Sequence, residues 1–130
     1  MKNVPDTALG RMYREHIQLI LDKNIEALLD QYTDDALLIS SFMKTPKYYR
    51  GRDELREHMQ GILGIDGLET EINFWAETDD PQTLMVTEII NMTVGGEKLS
   101  MRFADSWVLE GGRIKIHFAG MVSHPDGSLA

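Results

Sequence analysis

Four side chains are of types that could carry acid–base chemistry, Asp105, Glu88, His117 and His16, and Asp105 stands where packing alone would not put it. In the stretch Lys98–Glu110, every second residue gives the row Leu99, Met101, Phe103, Asp105, Trp107 and Leu109. Lys98, Ser100, Arg102, Ala104, Ser106, Val108 and Glu110 fall on the other side. Strand side chains alternate between faces, so this pattern predicts a half-buried strand with one acid on its inner face. A buried carboxylate is costly without a partner, so Asp105 must find a hydrogen bond or keep its proton.

Glu88 sits in the row Leu84, Val86, Glu88, Ile90, Met92 and Val94. An inward row gives two carboxylates on neighbouring strands, able to divide into a charged base and a neutral acid. With Met85, Thr87, Ile89, Asn91 and Thr93 inward instead, Glu88 is solvated. His117 alternates with Ala119 and Met121, and periodicity alone makes the opposite set, Ile114, Ile116 and Phe118, the core. His16 interrupts an apolar helical stripe, as a core histidine does too, and a hydrogen bond to Asp105 would serve both groups. Two imidazoles and two carboxylates could converge on a metal, but no ligand spacing such as His-x-x-x-His is present, so no metal is expected. Ile90, Met92, Met101, Phe103 and Trp107, with Trp75, are the expected lining of a pocket for a mostly apolar small molecule. The glycine pairs are hairpin signals rather than phosphate loops, no Gly-x-Ser-x-Gly elbow occurs, and no cofactor is expected.

The elements that must position these residues divide in two. Helices are expected over Ala8–Asp22 (Leu9, Met12, Leu19 and Ile20 at helical spacing), from Asn24 through Tyr32, and over Asp53–Leu63. Ala36–Ser40 reads as a short buried strand and Phe42–Tyr49 as a loop. After a Gly61–Gly67 linker the period changes to two: Glu71–Thr78, Thr83–Val94, the Asp105 strand and Arg113–Val122, joined by turns at 79–82, Gly95-Gly96 and Gly111-Gly112. The tail Ser123–Ala130 should be loosely held, with His124 exposed, and His58 reads as structural. Helices followed by a strand meander make an α+β fold, one domain over 1–130.

Composition narrows the function classes. The 130 residues include 13 Lys and Arg against 21 Asp and Glu, a net charge of −8 that makes nucleic acid a poor partner. No apolar run reaches the roughly 20 residues of a membrane helix, and Met1–Thr7 lacks the apolar core of a signal peptide. There is no cysteine, hence no thiolate nucleophile or disulfide, and a cytoplasmic location is expected.

Three words in order resemble the NTF2-like superfamily in its SnoaL-like, ketosteroid-isomerase-like branch. They are Asn24-Ile25-Glu26-Ala27-Leu28-Leu29 with Tyr32-Thr33-Asp34-Asp35-Ala36, then Tyr49-Arg50-Gly51-Arg52-Asp53-Glu54-Leu55, then Asp105-Ser106-Trp107-Val108-Leu109-Glu110-Gly111-Gly112-Arg113-Ile114. The resemblance implies a cone in which three N-terminal helices and a strongly curved mixed or antiparallel sheet enclose a pocket. It implies that Asp105 stands where the isomerases keep a protonated Asp, and His16 where they have a helix-one Tyr. Ser40 replaces their general base, and Ala119 replaces the usual Asp of SnoaL-type cyclases. The resemblance also turns His117 and Glu88 inward and makes Ile114, Ile116 and Phe118 the outer face of a homodimer. The expected function is a cofactor-independent isomerase, lyase or cyclase acting on a mostly apolar carbonyl or hydroxyl compound. Catalytic candidates are Asp105, His16, Glu88 and His117, with Ser40 joining the apolar lining; the alternative is a non-catalytic binding or assembly module.

Overall fold

The computed structural model describes residues 1–41, 46–123, 126 and 128–129. The first helix, α1, spans Ala8–Leu21 and starts at Thr7, whose side chain accepts from the Gly10 N–H at 2.9 Å. Its buried stripe is Leu9, Tyr13, His16 and Ile17, while Met12, Leu19 and Ile20 are only half-buried. The stripe is therefore rotated from the one expected, and it carries Tyr13 inward. Gly10 is required where it stands: a Cβ there would lie 1.8 Å from the Pro5 carbonyl oxygen.

The second helix, α2, covers Ile25–Leu29 and is capped by Asn24, which accepts from Ala27 N–H. It stops short of Tyr32, contrary to the expectation. The Gln31 carbonyl instead accepts from Ile114 N–H at 2.8 Å, drawing the chain into the sheet, and Tyr32 opens strand β1, Tyr32–Ser40. A short strand β2, Lys47–Arg50, pairs antiparallel with β1 where a loop was expected; residues 42–45 of that loop lie outside the described residues. Helix α3 spans Gly51–Met59, entered through Gly51 at φ 81°, a left-handed value that favours glycine. A 3-10 turn over Gln60–Gly64 follows, so the expected Gly61–Gly67 linker is largely structured.

Four long strands complete the sheet: β3 Ile65–Asp79, β4 Gln82–Val94, β5 Glu97–Glu110 and β6 Arg113–Ser123. Their order is β2-β1-β6-β5-β4-β3, with β1 and β6 parallel and the other neighbours antiparallel. The result is a curled mixed sheet with the three helices on its concave side. Of the tail, Leu129 makes an isolated bridge with Ser123; His124, Pro125, Gly127 and Ala130 lie outside the described residues.

One face assignment needs correction. Ile114 is completely buried rather than on the outer surface. The β5–β6 register shifts between the pairs Val108↔Ile116 and Leu109↔Ile114, leaving Lys115 as an extra residue. Such a bulge changes the parity of the strand, so Ile114 and His117 both face inward although three positions apart. Phe118, 44% exposed, keeps its outward place. A second bulge in β3, between Ile72 and Phe74, similarly turns Phe74 out and Trp75 in. Among the described residues no helix is long and apolar enough to cross a membrane.

Candidate functional site

On the inner face, Glu88 pairs with Phe103 and Asp105 with Val86, which makes the two acids diagonal neighbours on β4 and β5. From α1, the Tyr13 hydroxyl donates to Glu88 Oε2. Tyr13 is held edge-on by Trp75, ring centres 5.6 Å apart, and tilted against Trp107 at 6.2 Å. Glu88 is only 2% exposed. Burial raises its pKa, while hydrogen bonds from Tyr13 and Asp105 lower it in part. Asp105 is pushed well above the ordinary 3.8 by burial first, then by the neighbouring Glu88 charge and the hydrogen bond between the two.

The surroundings of the two acids differ. Glu88 accepts from the Tyr13 hydroxyl, whereas Asp105 has only the Gly120 backbone opposing the rise in its pKa, and its Oδ1 is buried with no hydrogen-bond partner among the described residues. The hydrogen bond joining two carboxyls needs a proton on one of them, and the Tyr13 donor on Glu88 favours Asp105 as the member that keeps it. Tyr13 stays a phenol, since burial and the Glu88 charge raise its pKa further.

A second polar group lies beyond Trp107. His16 Nδ1 meets Gln31 Oε1 at 2.9 Å, and His117 Nδ1 meets the Tyr32 hydroxyl at 2.9 Å. His16 thus turns its Nδ1 to Gln31 rather than to Asp105. Its ring centre is 5.0 Å from Trp107 and 6.2 Å from His117. Burial lowers His16 from 6.5 to about 4, with Gln31 opposing the shift. Burial also takes His117 well below its usual value, helped by the charges His16 and His58 would carry. Both imidazoles are neutral at pH 7.

Between the two groups is a cavity of about 160 Å³. Tyr13, His16, Glu88, Asp105 and His117 all reach it, and Ile90, Met92, Phe103 and Trp107 supply apolar wall. Three expected lining residues, Met101, Ser40 and Trp75, do not: Met101 is packed into the core, and Ser40 is buried where β1 pairs with Ala119. Trp75 supports Tyr13 from behind instead of facing the cavity. No Lys or Arg is among the described lining residues. His58 stands apart on α3, tilted against Tyr49 with ring centres 4.8 Å away. Among the described residues no three His, Cys, Asp or Glu side chains are grouped to hold a metal.

Sequence reasoning missed Tyr13, Gln31 and Tyr32. Tyr13 did leave a signal, lying four residues after Leu9 and three before His16 on one helical face. Gln31 and Tyr32 leave none, because the sequence pattern predicts a helix running through Tyr32.

A curled mixed sheet with three helices packed on it is the architecture of the SnoaL-like domains. The chain belongs to that family, whose sequence profile matches residues 13–117. No curated protein matches it by sequence. Among solved structures, it is similar to a Bacillus subtilis protein provisionally named an isomerase: TM-score 0.75, 13% identity, covering 88% of this chain and 86% of that one. It is also similar to an M. tuberculosis LEH-like epoxide hydrolase (TM-score 0.67, 12% identity, 85% and 80% covered). A third is the epoxide hydrolase/cyclase-like enzyme SalBIII of pyran ring formation in salinomycin (TM-score 0.69, 14% identity, 85% and 88% covered). At these identities the likeness establishes the fold.

Proposed function

We propose that the protein is a cofactor-independent acid–base enzyme of the isomerase, lyase or cyclase type, acting on a compact, neutral, mostly apolar compound with an oxygen function. The observation that carries this reading is the Glu88–Asp105 pair, two acids buried as diagonal neighbours on the wall of a mostly apolar cavity. A module that only binds apolar ligands gains nothing from two buried acids, which cost stability, whereas a proton donor needs such an environment. Asp105 offers its proton to the substrate oxygen, and the matching base is drawn from Glu88 and the two neutral imidazoles. With no cation in the described lining and a charge already on Glu88, an anionic substrate is repelled. A cavity of ~150 Å³ holds a benzene-sized guest, so substrates of about six to ten non-hydrogen atoms fit without large rearrangement.

The test is a panel of small cyclic alcohols, enones and epoxides, with carboxylates of equal size as controls, followed by gas chromatography. Conversion of a neutral member that disappears in Asp105→Asn is the expected result. Saturable binding of neutral members without conversion would establish the non-catalytic alternative instead.

The NTF2-like resemblance and the outer face of the sheet together support a homodimer. Phe118 (44% exposed), Met85 (47%), Val122 (42%) and Phe74 (52%) expose apolar surface, with Ile116 half-buried beside them. Met85 pairs with Ser106 and Ser106 with Phe118, so these side chains form a row across three strands. Light scattering should show a dimer at micromolar concentration and a monomer for Phe118→Glu. A monomeric wild type removes the proposal.

A further inference from the structure

We propose that Gln31 and Tyr32, adjacent residues at the α2–β1 junction, are positioning residues that lock His16 and His117 in opposite tautomers. The cavity then meets one bare imidazole nitrogen and one imidazole N–H. The Gln31 amide donates through Nε2 to the Met12 carbonyl at 3.2 Å, which leaves Oε1 facing His16. An amide oxygen only accepts, so the His16 Nδ1 carries the hydrogen and the Nε2 of the neutral ring is bare. The Gln31 backbone is fixed as well, by the Ile114 N–H.

Tyr32 works in the other direction. Its side chain is 1% exposed, and its ring stacks on His117 at 24° with centres 6.0 Å apart. The His117 Nδ1 is the acceptor its hydroxyl proton finds among the described residues. A ring that accepts at Nδ1 carries its hydrogen on Nε2. Arg113 holds the Tyr32 carbonyl and Asp34 together, clamping this stretch of backbone. Both rings line the cavity with Nδ1 engaged behind, so Nε2 is the nitrogen each turns to a ligand.

What this pair does rests on the proposed function; the tautomers rest on geometry alone. His16 Nε2 is the base that receives the proton leaving the substrate, while Asp105 gives one to the substrate oxygen. In an isomerisation the transfers then reverse, His16 returning its proton at another carbon and Asp105 taking back the one on oxygen, so both groups end as they began. His117 gives a hydrogen bond and no proton: as a neutral imidazole it stabilises the oxygen on which charge develops.

Nitrogen-15 long-range spectra of the imidazole-labelled full chain, recorded without ligand near neutral pH, test the assignment. His16 should show a protonated Nδ1 and bare Nε2, and His117 the reverse. Equal tautomers in both rings, or a charged ring, overturn the proposal. Tyr32→Phe should release His117 into a tautomer mixture and leave His16 unchanged; Gln31→Leu should do the converse. An unchanged ring in a folded variant removes that residue's positioning role, and if a variant does not fold the wild-type spectra still decide. Because no ligand is present, a failed substrate panel leaves this result standing, and wrong tautomers leave the panel standing.

Discussion

Asp105→Asn should gain stability relative to the wild type as pH rises above the ordinary aspartate range, because only the wild type has to give up a proton that burial holds at this position. Asp105 and Glu88 have folded pKa values above their ordinary 3.8 and 4.5. Above those ordinary values the folded protein binds more protons than the unfolded chain, so each acid removes stability as pH rises toward its folded value. The two imidazoles act with the opposite sign. His16 titrates near 4 when folded and 6.5 when unfolded, so it adds stability as pH climbs through that window and nothing above it. His117, depressed for the same reason, adds to the same limb. Each excess proton contributes a slope of about 1.4 kcal/mol per pH unit. Between about pH 4.5 and 6.5 the acids and imidazoles therefore act with opposite sign. Chemical denaturation at a series of pH values should show the variant gaining on the wild type as pH rises from about 4. The introduced amide can donate to the Glu88 carboxylate and leaves no titrating group at 105. A stability difference between variant and wild type that does not change with pH would contradict a proton held by the pair.

The fold was legible wherever local pattern decides it. The glycine pairs at 95–96 and 111–112 do adopt positive φ values in hairpin turns, and alternation placed Asp105, Phe103 and Trp107 on the inner face. Alternation failed at Lys115, because a bulge changes parity without any marker in the residue types. Ile114 was misplaced for that reason, while His117 was turned inward by resemblance and not by periodicity. The short edge strand β2 was also missed, since four residues carry too little pattern to stand out from a loop.

The candidate site was half legible in the same sense. Its four titratable residues announce themselves as polar groups in apolar rows. Their partners do not, because the contacts are remote: Tyr13 reaches Glu88 across 75 positions and Tyr32 reaches His117 across 85. Gln31 depends on the end of α2, which the sheet determines by pairing Ile114 with the Gln31 carbonyl. Helix periodicity alone would have carried that helix further. Tertiary pairing thus fixes which tautomer and which proton each announced residue has.

Asp105→Asn should lower turnover of any converted panel compound by about 10²–10⁴ while leaving its binding within a few-fold, because it removes a positioned acid and little volume. Glu88→Gln should cost a similar factor by a different route. The introduced amide can accept from Tyr13 through its oxygen and donate to Asp105 through its nitrogen. A donor facing Asp105 favours the carboxylate, so the acid loses the proton it must deliver. Tyr13→Phe is milder and separates the two roles. It removes one donor from the Glu88 carboxylate, a hydrogen bond worth about 1.5–3 kcal/mol when the acceptor is charged. Glu88 then competes for the shared proton, and the acid limb of the pH–rate profile moves upward. Carbon-13 titration of the labelled carboxyls reads all three variants without a substrate. In the wild type the Asp105 signal should stay in its protonated position at pH values above the ordinary aspartate range. In Glu88→Gln it should fall back toward that range. A wild-type Asp105 that ionises below about pH 4 would make it a base or an ion-pair partner, and the acid role would then pass to another residue.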